Sequence, residues 1–256
     1  MTDAIVLAGG GRETGLDPAL PNKAFIEVAG RPIVWYVVEA LRRTRGIGRI
    51  AAVGPPELAR ALPPEIVIVP DAGEIMDNVG RAVAALRSSS LTLVAASDIP
   101  LLTADVVEEF LAACAARRAD FFYPIVPRDA VTARFPTARK TYATVAEGTF
   151  TGGSVMLFNP QVLDRVRPFV ERMIAARKKP WLMAQMFGWT IIMKFFTGAL
   201  SIDEVVTRAT EVVGIPVQPL IVRRPELALD VDVGKPENLD AIRQELEARS
   251  RRNGTA

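Results

Sequence analysis

Ala4-Ile5-Val6-Leu7-Ala8-Gly9-Gly10-Gly11-Arg12 is the stretch on which the fold turns. Five consecutive apolar residues bounded by three glycines read as a short strand buried on both faces that opens into a tight turn. Glycine lets backbone N–H groups face an anion at close range, so such a turn can cradle a phosphate. Taken alone, three glycines describe a structural turn equally well. Arg12, Gly15 and, after Pro21-Asn22, Lys23 put two cations within reach of the same spot. The loop is not Gly-x-Gly-x-x-Gly, and no Gly-Lys-Ser/Thr closes it as a P-loop would require.

Outward from this strand, further apolar runs fall near 49–53, 65–69, 91–96 and 120–126. Helical patterns lie between them near 32–45, 56–62, 75–87 and 103–117. Continuous apolar strands alternating with amphipathic helices predict an α/β, Rossmann-like, mostly parallel twisted sheet with helices on both faces. Ligands of such sheets sit beyond the carboxyl ends of the strands. The glycine loop and Asp98 both follow strands directly. The second half is less regular: a strand near Tyr142 to Val145, a turn at Thr151-Gly152-Gly153-Ser154, a run to Phe158, largely helical sequence over 160–211, and a strand from Val217. A final helix begins near Lys235-Pro236-Glu237, with Pro in the first turn. One domain over 1–256 with a mainly helical insertion at about 160–215 is expected.

Composition narrows the chemistry. The chain has no histidine and one cysteine, Cys114, among 256 residues. Ser-His-Asp and Cys-His catalysis and imidazole zinc sites are therefore excluded. Cys114 lies among alanines in a helical pattern and reads as a packed residue. A single cysteine permits no internal disulfide, which suits a reducing cytoplasm. Any metal must rest on carboxylates, which suits Mg²⁺. The formal net charge of +2 gives no case for nucleic-acid binding. The basic end, Arg249 to Gly254, reads as a frayed tail. Residues 180–200 approach a membrane span in length, yet Gln185, Gly188 and Lys194 interrupt them. They are expected to cover the core or a subunit interface, such as that of a homodimer, with association at a membrane surface the lesser reading and an integral span not expected.

Three motifs carry the chemistry. The first is the glycine loop with its two cations. The second is Ser97-Asp98-Ile99-Pro100-Leu101-Leu102, an acidic residue at the end of an apolar strand, where a metal ligand and a turn cap are the two readings. The third is Asp230-Val231-Asp232-Val233-Gly234-Lys235-Pro236-Glu237. In an extended segment Asp230 and Asp232 share one face, so both can approach a cation.

Leu7-Ala8-Gly9-Gly10-Gly11-Arg12, then Pro21-Asn22-Lys23-Ala24-Phe25, then Gly30-Arg31-Pro32-Ile33-Val34 resembles the opening of the nucleotidyltransferases of glycosyltransferase-A-like Rossmann fold. The subgroup similar to molybdenum cofactor guanylyltransferase is the nearest in pattern. The mid-chain motif is similar to that family's Asp-x-Pro-Leu-Leu, and the third to its Asp-x-Asp-Thr-Pro-Glu-Asp-Leu. In this chain Arg12 follows the third glycine directly, and Val233-Gly234-Lys235 stands where a single Thr is usual.

The resemblance implies that Leu7 to Gly11 wrap the triphosphate of an NTP, with GTP among the donors. It implies that Arg12 and Lys23 stabilise departing pyrophosphate, and that Asp98 and Asp232 hold Mg²⁺. Asp71, Gly73 and Asn78 fall where the family contacts base and ribose, although a turn and helix cap describe them equally. Gly152 and Gly153, with Lys140 before them, fall where related enzymes meet the acceptor; a hairpin turn and a solvated basic loop of Arg134, Arg139 and Lys140 are the plainer readings. The implied reaction joins an NMP to a small phosphorylated acceptor. A nucleotide-sugar glycosyltransferase of the same fold and a non-catalytic nucleotide-binding protein are the rivals.

Overall fold

The computed structural model describes residues 1–11, 13–176 and 180–254. The chain starts with β1 (Thr2–Leu7), a small hairpin of β2 (Glu27–Val28) and β3 (Arg31–Pro32), and α1 (Ile33–Arg43). There follow β4 (Ile47–Gly54), α2 (Leu58–Ala61), β5 (Val67–Pro70), α3 (Ile75–Leu86), β6 (Thr92–Ala96), α4 (Ala104–Ala115), β7 (Phe121–Pro127) and α5 (Arg128–Arg134). Next come β8 (Ala143–Val145), β9 (Gly148–Gly152), β10 (Val155–Phe158) and the helices α6 (Leu163–Ala176), α7 (Pro180–Phe187), α8 (Trp189–Thr197) and α9 (Ile202–Val213). β11 (Val217–Ile221) and α10 (Pro236–Gly254) complete the chain.

The main sheet runs β5-β4-β1-β6-β10-β7-β9-β8, with β11 added on β7. β1, β4, β5 and β6 are mutually parallel, as are β7 and β11; β10 and β9 run against them. It is thus a mostly parallel α/β sheet of Rossmann type. β1 is central, and alternation along it divides the core. Ala4 and Val6 join Val34, Val37, Val106 and Phe110 of α1 and α4 on one face. Ile5 joins Met76, Val79 and Leu86 of α3 and Leu163 of α6 on the other. The apolar positions of α1, Ile33, Val34, Val37, Val38 and Leu41, recur at three- and four-residue spacing, so one stripe is buried.

Four expectations from the sequence change. Thr151-Gly152-Gly153-Ser154 is not a hairpin turn: β9 and β10 pair with opposite ends of β7, and Gly153 N–H donates to Pro124 O between them at 2.8 Å. It is a bulge in one antiparallel track. A Cβ on Gly152 would lie 2.0 Å from the Tyr123 hydroxyl, and one on Gly153 2.8 Å from Pro124 Cγ, so close packing on β7 accounts for both glycines. The basic end is no frayed tail, because α10 runs to Gly254 and Arg249 donates to the Leu101 carbonyl and pairs with Glu245. Of the two roles expected of residues 180–200, core or subunit interface, α8 does not fill the first, since none of its residues is buried. Lys140 does not sit in a solvated loop, because Asp230 draws it into an ion pair that is largely shielded from solvent.

Candidate active site

The glycine loop leaves the carboxyl end of β1. A carboxylate that follows β5, two strands away, holds it: Gly10 N–H donates to Asp71 Oδ2 at 2.8 Å. Asp71 also accepts from Gly73 N–H and from Asn78 Nδ2, while Asn78 Oδ1 accepts from Ala72 N–H. These three donors hold the Asp71 carboxyl below its ordinary range. Gly9 packs so closely on this carboxylate that a Cβ there would fall 2.5 Å from Asp71 Oδ2. Asp71 and Asn78 thus clamp the loop from within. The amides of Gly9 and Gly11 make no hydrogen bond among the described residues and are the ones available to a ligand. Arg12 lies outside the described residues.

Lys23 opens a 3-10 turn, Lys23–Phe25, capped by Asn22. The Asn22 side chain is buried, accepts from Ala24 N–H at 2.9 Å and donates to the Ala8 carbonyl at 2.8 Å. Asn22 therefore ties the lysine's turn to the root of the glycine loop. The motif Pro21-Asn22-Lys23 by itself gives Asn22 no task. A buried Asn beside a cation at a turn is the signal that could have marked it.

Lys23 Nζ reaches Asp98 Oδ2 at 2.8 Å and Glu13 Oε1 at 3.2 Å. Burial works against the ammonium, but Asp98 and Glu13 together raise its pKa well above the ordinary lysine value. Asp98 follows β6, where Ser97 N–H donates to the Leu7 carbonyl at 3.1 Å. Its side chain is buried, and burial pushes its pKa up despite Lys23. One oxygen meets Lys23; the other, Oδ1, has no partner. A buried carboxylate with an unsatisfied oxygen is short of positive charge.

The C-terminal aspartates arrive by a backbone bond: Val231 N–H donates to the Asp98 carbonyl at 2.8 Å. Asp230 acts on Asp98 electrostatically, as a like charge that raises its pKa. Lys140 Nζ meets Asp230 Oδ1 at 2.6 Å, with the lysine side chain only 10% exposed. Arg139 instead pairs with Glu237, and Arg134 with Glu226 and Glu245, so the basic cluster splits three ways. Asp232 lies within the field of Lys23, accepts from Gly234 N–H and pairs with Lys235 at 2.8 Å. Lys235 and Lys23 lower its pKa. The sequence motif points to Asp232 as the second carboxylate with Asp230 as the alternative; Asp230 acts on Asp98 directly, while Asp232 lies in the field of Lys23 and also closes its own turn.

The structure thus draws Lys23, Asp98, Lys140, Asp230 and Asp232 to one edge of the sheet from four distant stretches of chain. Gly15, at φ +93°, closes the same edge, since a Cβ there would sit 3.2 Å from Val233 Cγ1. Each aspartate carries its own lysine. Asp71 and Asn78 stand beside the glycine loop, and Gly152, which ends β9, and Gly153 after it pack against β7. Cys114 is buried and its thiol is pushed up to about 12 by burial, so it is not a nucleophile.

The model of the MobA-like NTP transferase domain matches residues 4–167. A structure from Thermus thermophilus described as a hypothetical transferase is 37% identical, with TM-score 0.81, over 90% of this chain and 96% of that one. A CMP:2-keto-3-deoxy-manno-octonic acid synthetase complexed with CTP is similar over 97% of this chain and 100% of its own, at TM-score 0.62 and 14% identity. A 2-C-methyl-D-erythritol 4-phosphate cytidylyltransferase, also from Thermus thermophilus, is similar over 94% and 97%, at TM-score 0.51 and 18% identity. At these identities the last two bear on the fold alone. No protein of curated function matches the chain. The match from β1 into α6 takes in the glycine loop, Lys23 and Asp98, and on it the chain belongs to the MobA-like NTP transferases, a family of nucleotidyltransferases.

Proposed function

We propose that the chain transfers an NMP from an NTP to a small phosphorylated acceptor, releases pyrophosphate and depends on Mg²⁺. The observation that carries this is Asp98, buried, with one oxygen on Lys23, the other unpartnered, and Asp230 close enough to raise its pKa. Two neighbouring oxygen-donor carboxylates, one with an unmet oxygen, fit a hard divalent cation. Among the described residues no group of three or more His, Cys, Asp or Glu is arranged as a metal cage. Mg²⁺ needs no such cage, since it uses one or two carboxylates and takes its remaining ligands from water and substrate phosphate. Asp98 would hold it, with Asp230 or Asp232 as the second carboxylate. Bound there, it would neutralise phosphate charge as a Lewis acid.

The chain's own residues do the rest. The amides of Gly9 and Gly11 belong to a loop that Asp71 and Asn22 keep rigid, and they bind triphosphate oxygens. Lys23, held by Asp98 and Glu13, and Arg12 by its place in the sequence, stabilise the charge on the departing pyrophosphate. Lys140 is the cation on the acceptor side and orients the acceptor's phosphate against Asp230's pull. Charge neutralisation and in-line positioning suffice when the acceptor is itself a phosphate, so no protein nucleophile is needed.

The glycosyltransferase alternative needs a second aspartate two places beyond Asp98. Pro100 stands there, buried. A screen of the four NTPs against phosphorylated sugars, polyols and pterins, read by pyrophosphate release with EDTA controls, tests the reading. Release that EDTA leaves untouched, or nucleotide-sugar turnover without pyrophosphate, would overturn it.

A further inference from the structure

Asn238 stands in the first turn of α10 and is wholly buried. A buried amide is stable only when its oxygen and its nitrogen both find partners. The Asn238 oxygen accepts from Arg139 N–H at 2.8 Å. Its nitrogen donates to two carbonyls, those of Arg139 and Asp230, at 3.3 Å each. One side chain thus holds the residue before Lys140 and the residue that Lys140 meets, although Lys140 and Asp230 are 90 positions apart.

The peptide between Asp230 and Val231 is fixed at both ends. Its carbonyl meets Asn238, and its N–H donates to the Asp98 carbonyl at 2.8 Å. Because the peptide is planar, these two bonds set the direction in which Asp230 leaves the chain. Lys140 has less to hold it. It lies in the irregular segment between α5 and β8, and its N–H makes no hydrogen bond among the described residues. A lysine stem has many rotamers, and its ammonium prefers water. Pinning both backbone groups of Arg139 fixes where the next residue starts. The Arg139 side chain also pairs with Glu237 at 3.1 Å, but both partners are exposed there, and such a pair contributes little. Loss of the Asn238 amide would leave three backbone groups without a partner, the N–H and carbonyl of Arg139 and the carbonyl of Asp230.

We infer that Asn238 is a positioning residue for the acceptor side of the site, an inference that rests on the acceptor role proposed for Lys140. It sets Lys140 against Asp230 through the backbone of both segments, and so fixes where the ammonium meets the acceptor's phosphate. Asn238 itself touches no substrate.

Residue-resolved acetylation, amide hydrogen exchange and a double-mutant cycle test it. Because Asn238 is wholly buried, the first arm uses the wild-type protein and needs no variant to fold. There the Arg139 N–H should exchange at least about a hundredfold more slowly than the Lys140 N–H beside it. In Asn238→Ala, acetylation of the Lys140 amine should rise about tenfold, while that of Lys23 stays within about twofold. A general loosening of the fold would raise both alike. In a Lys140→Met background, Asn238→Ala should lower the urea midpoint less than it does in wild type, because the pair it positions is already gone. With the acceptor that releases pyrophosphate, Asn238→Ala should raise the acceptor KM about tenfold and leave the NTP KM within about twofold. Fast exchange of Arg139 N–H in wild type would overturn the inference. So would equal rises at Lys140 and Lys23, an additive cycle, or equal rises in both KM values. Pyrophosphate release that no acceptor supports would sink the proposed function alone, since exchange, acetylation and the urea midpoint are read without turnover.

Discussion

Lys23 Nζ lies 2.8 Å from Asp98 Oδ2, and the other oxygen of that buried carboxylate meets nothing. The pair joins the turn after the glycine loop to the end of β6. It leaves half a carboxylate for whatever cation enters. Asp98→Asn keeps the shape and removes the charge. Pyrophosphate release should fall by at least about a hundredfold. Stability should fall by about 1–3 kcal/mol, because Lys23 stays behind with Glu13 alone as its partner. Steady-state turnover and a urea melt on the same variant check both halves; near-normal turnover would refute the site.

Lys140 and Asp230 are the second cation–anion pair, at 2.6 Å. Lys140→Met leaves Asp230 unpaired beside Asp98 and should cost about 1–3 kcal/mol of stability. The double variant with Asp230→Asn should recover most of that. A divalent cation competes with Lys140 for the same carboxylate. Mn²⁺ should therefore bind nucleotide-free Lys140→Met several-fold more tightly than wild type, as read by paramagnetic resonance. Equal affinity would show that Asp230 holds no metal.

The glycines of the loop should differ sharply from one another. Gly9→Ala drives a Cβ to 2.5 Å from a carboxylate pinned by three donors, and should cost about 1–3 kcal/mol. Gly10→Ala meets open space but forces φ +106° on a residue with a Cβ, so it should cost about 1 kcal/mol or more. Gly11→Ala meets neither obstacle and should stay within about 0.5 kcal/mol. Chemical denaturation of the three variants settles the ranking.

Acid should loosen the loop through Asp71. Its pKa is lowered in the folded state from an ordinary 3.8, chiefly by Gly10 N–H and then by Asn78. A carboxylate of this kind stabilises the fold fully above its unfolded pKa, and the contribution disappears as pH falls through the lower folded value. Between about pH 5 and pH 2 wild type should lose more stability than Asp71→Asn, and the difference between their urea midpoints should shrink toward acid. Parallel pH curves would show that the clamp on Gly10 contributes nothing.

The strands β1, β4, β5, β6 and β7 and the helices between them were legible because each writes its period into a short window. Ala4 to Leu7, uniformly apolar, reads as a strand with helices on both sides. Asp98 and the glycine loop were legible as edge residues for the same reason. The bulge at Gly153 was not, since a Gly-Gly pair encodes a reversal and a close approach alike; Pro124 and Tyr123 of β7 decided it. Nor was the fate of Lys140, which looks like one of three basic loop residues until Asp230, ninety positions on, is set against it.

By itself, then, the sequence determined the alternation of strands and helices, the exclusion of imidazole and thiol chemistry, and the place of the glycine loop and Asp98 at the carboxyl edge of the sheet. Those properties depend on composition and on neighbours a few positions apart. Only the tertiary structure decided that Asp71 grips Gly10, that Lys140 draws in Asp230 while Lys235 draws in Asp232, and that Trp189, Met193 and Phe196 of α8 face outward. Each of those depends on strand order and on backbone bonds such as Val231 to Asp98, which join segments more than a hundred residues apart and leave no local trace.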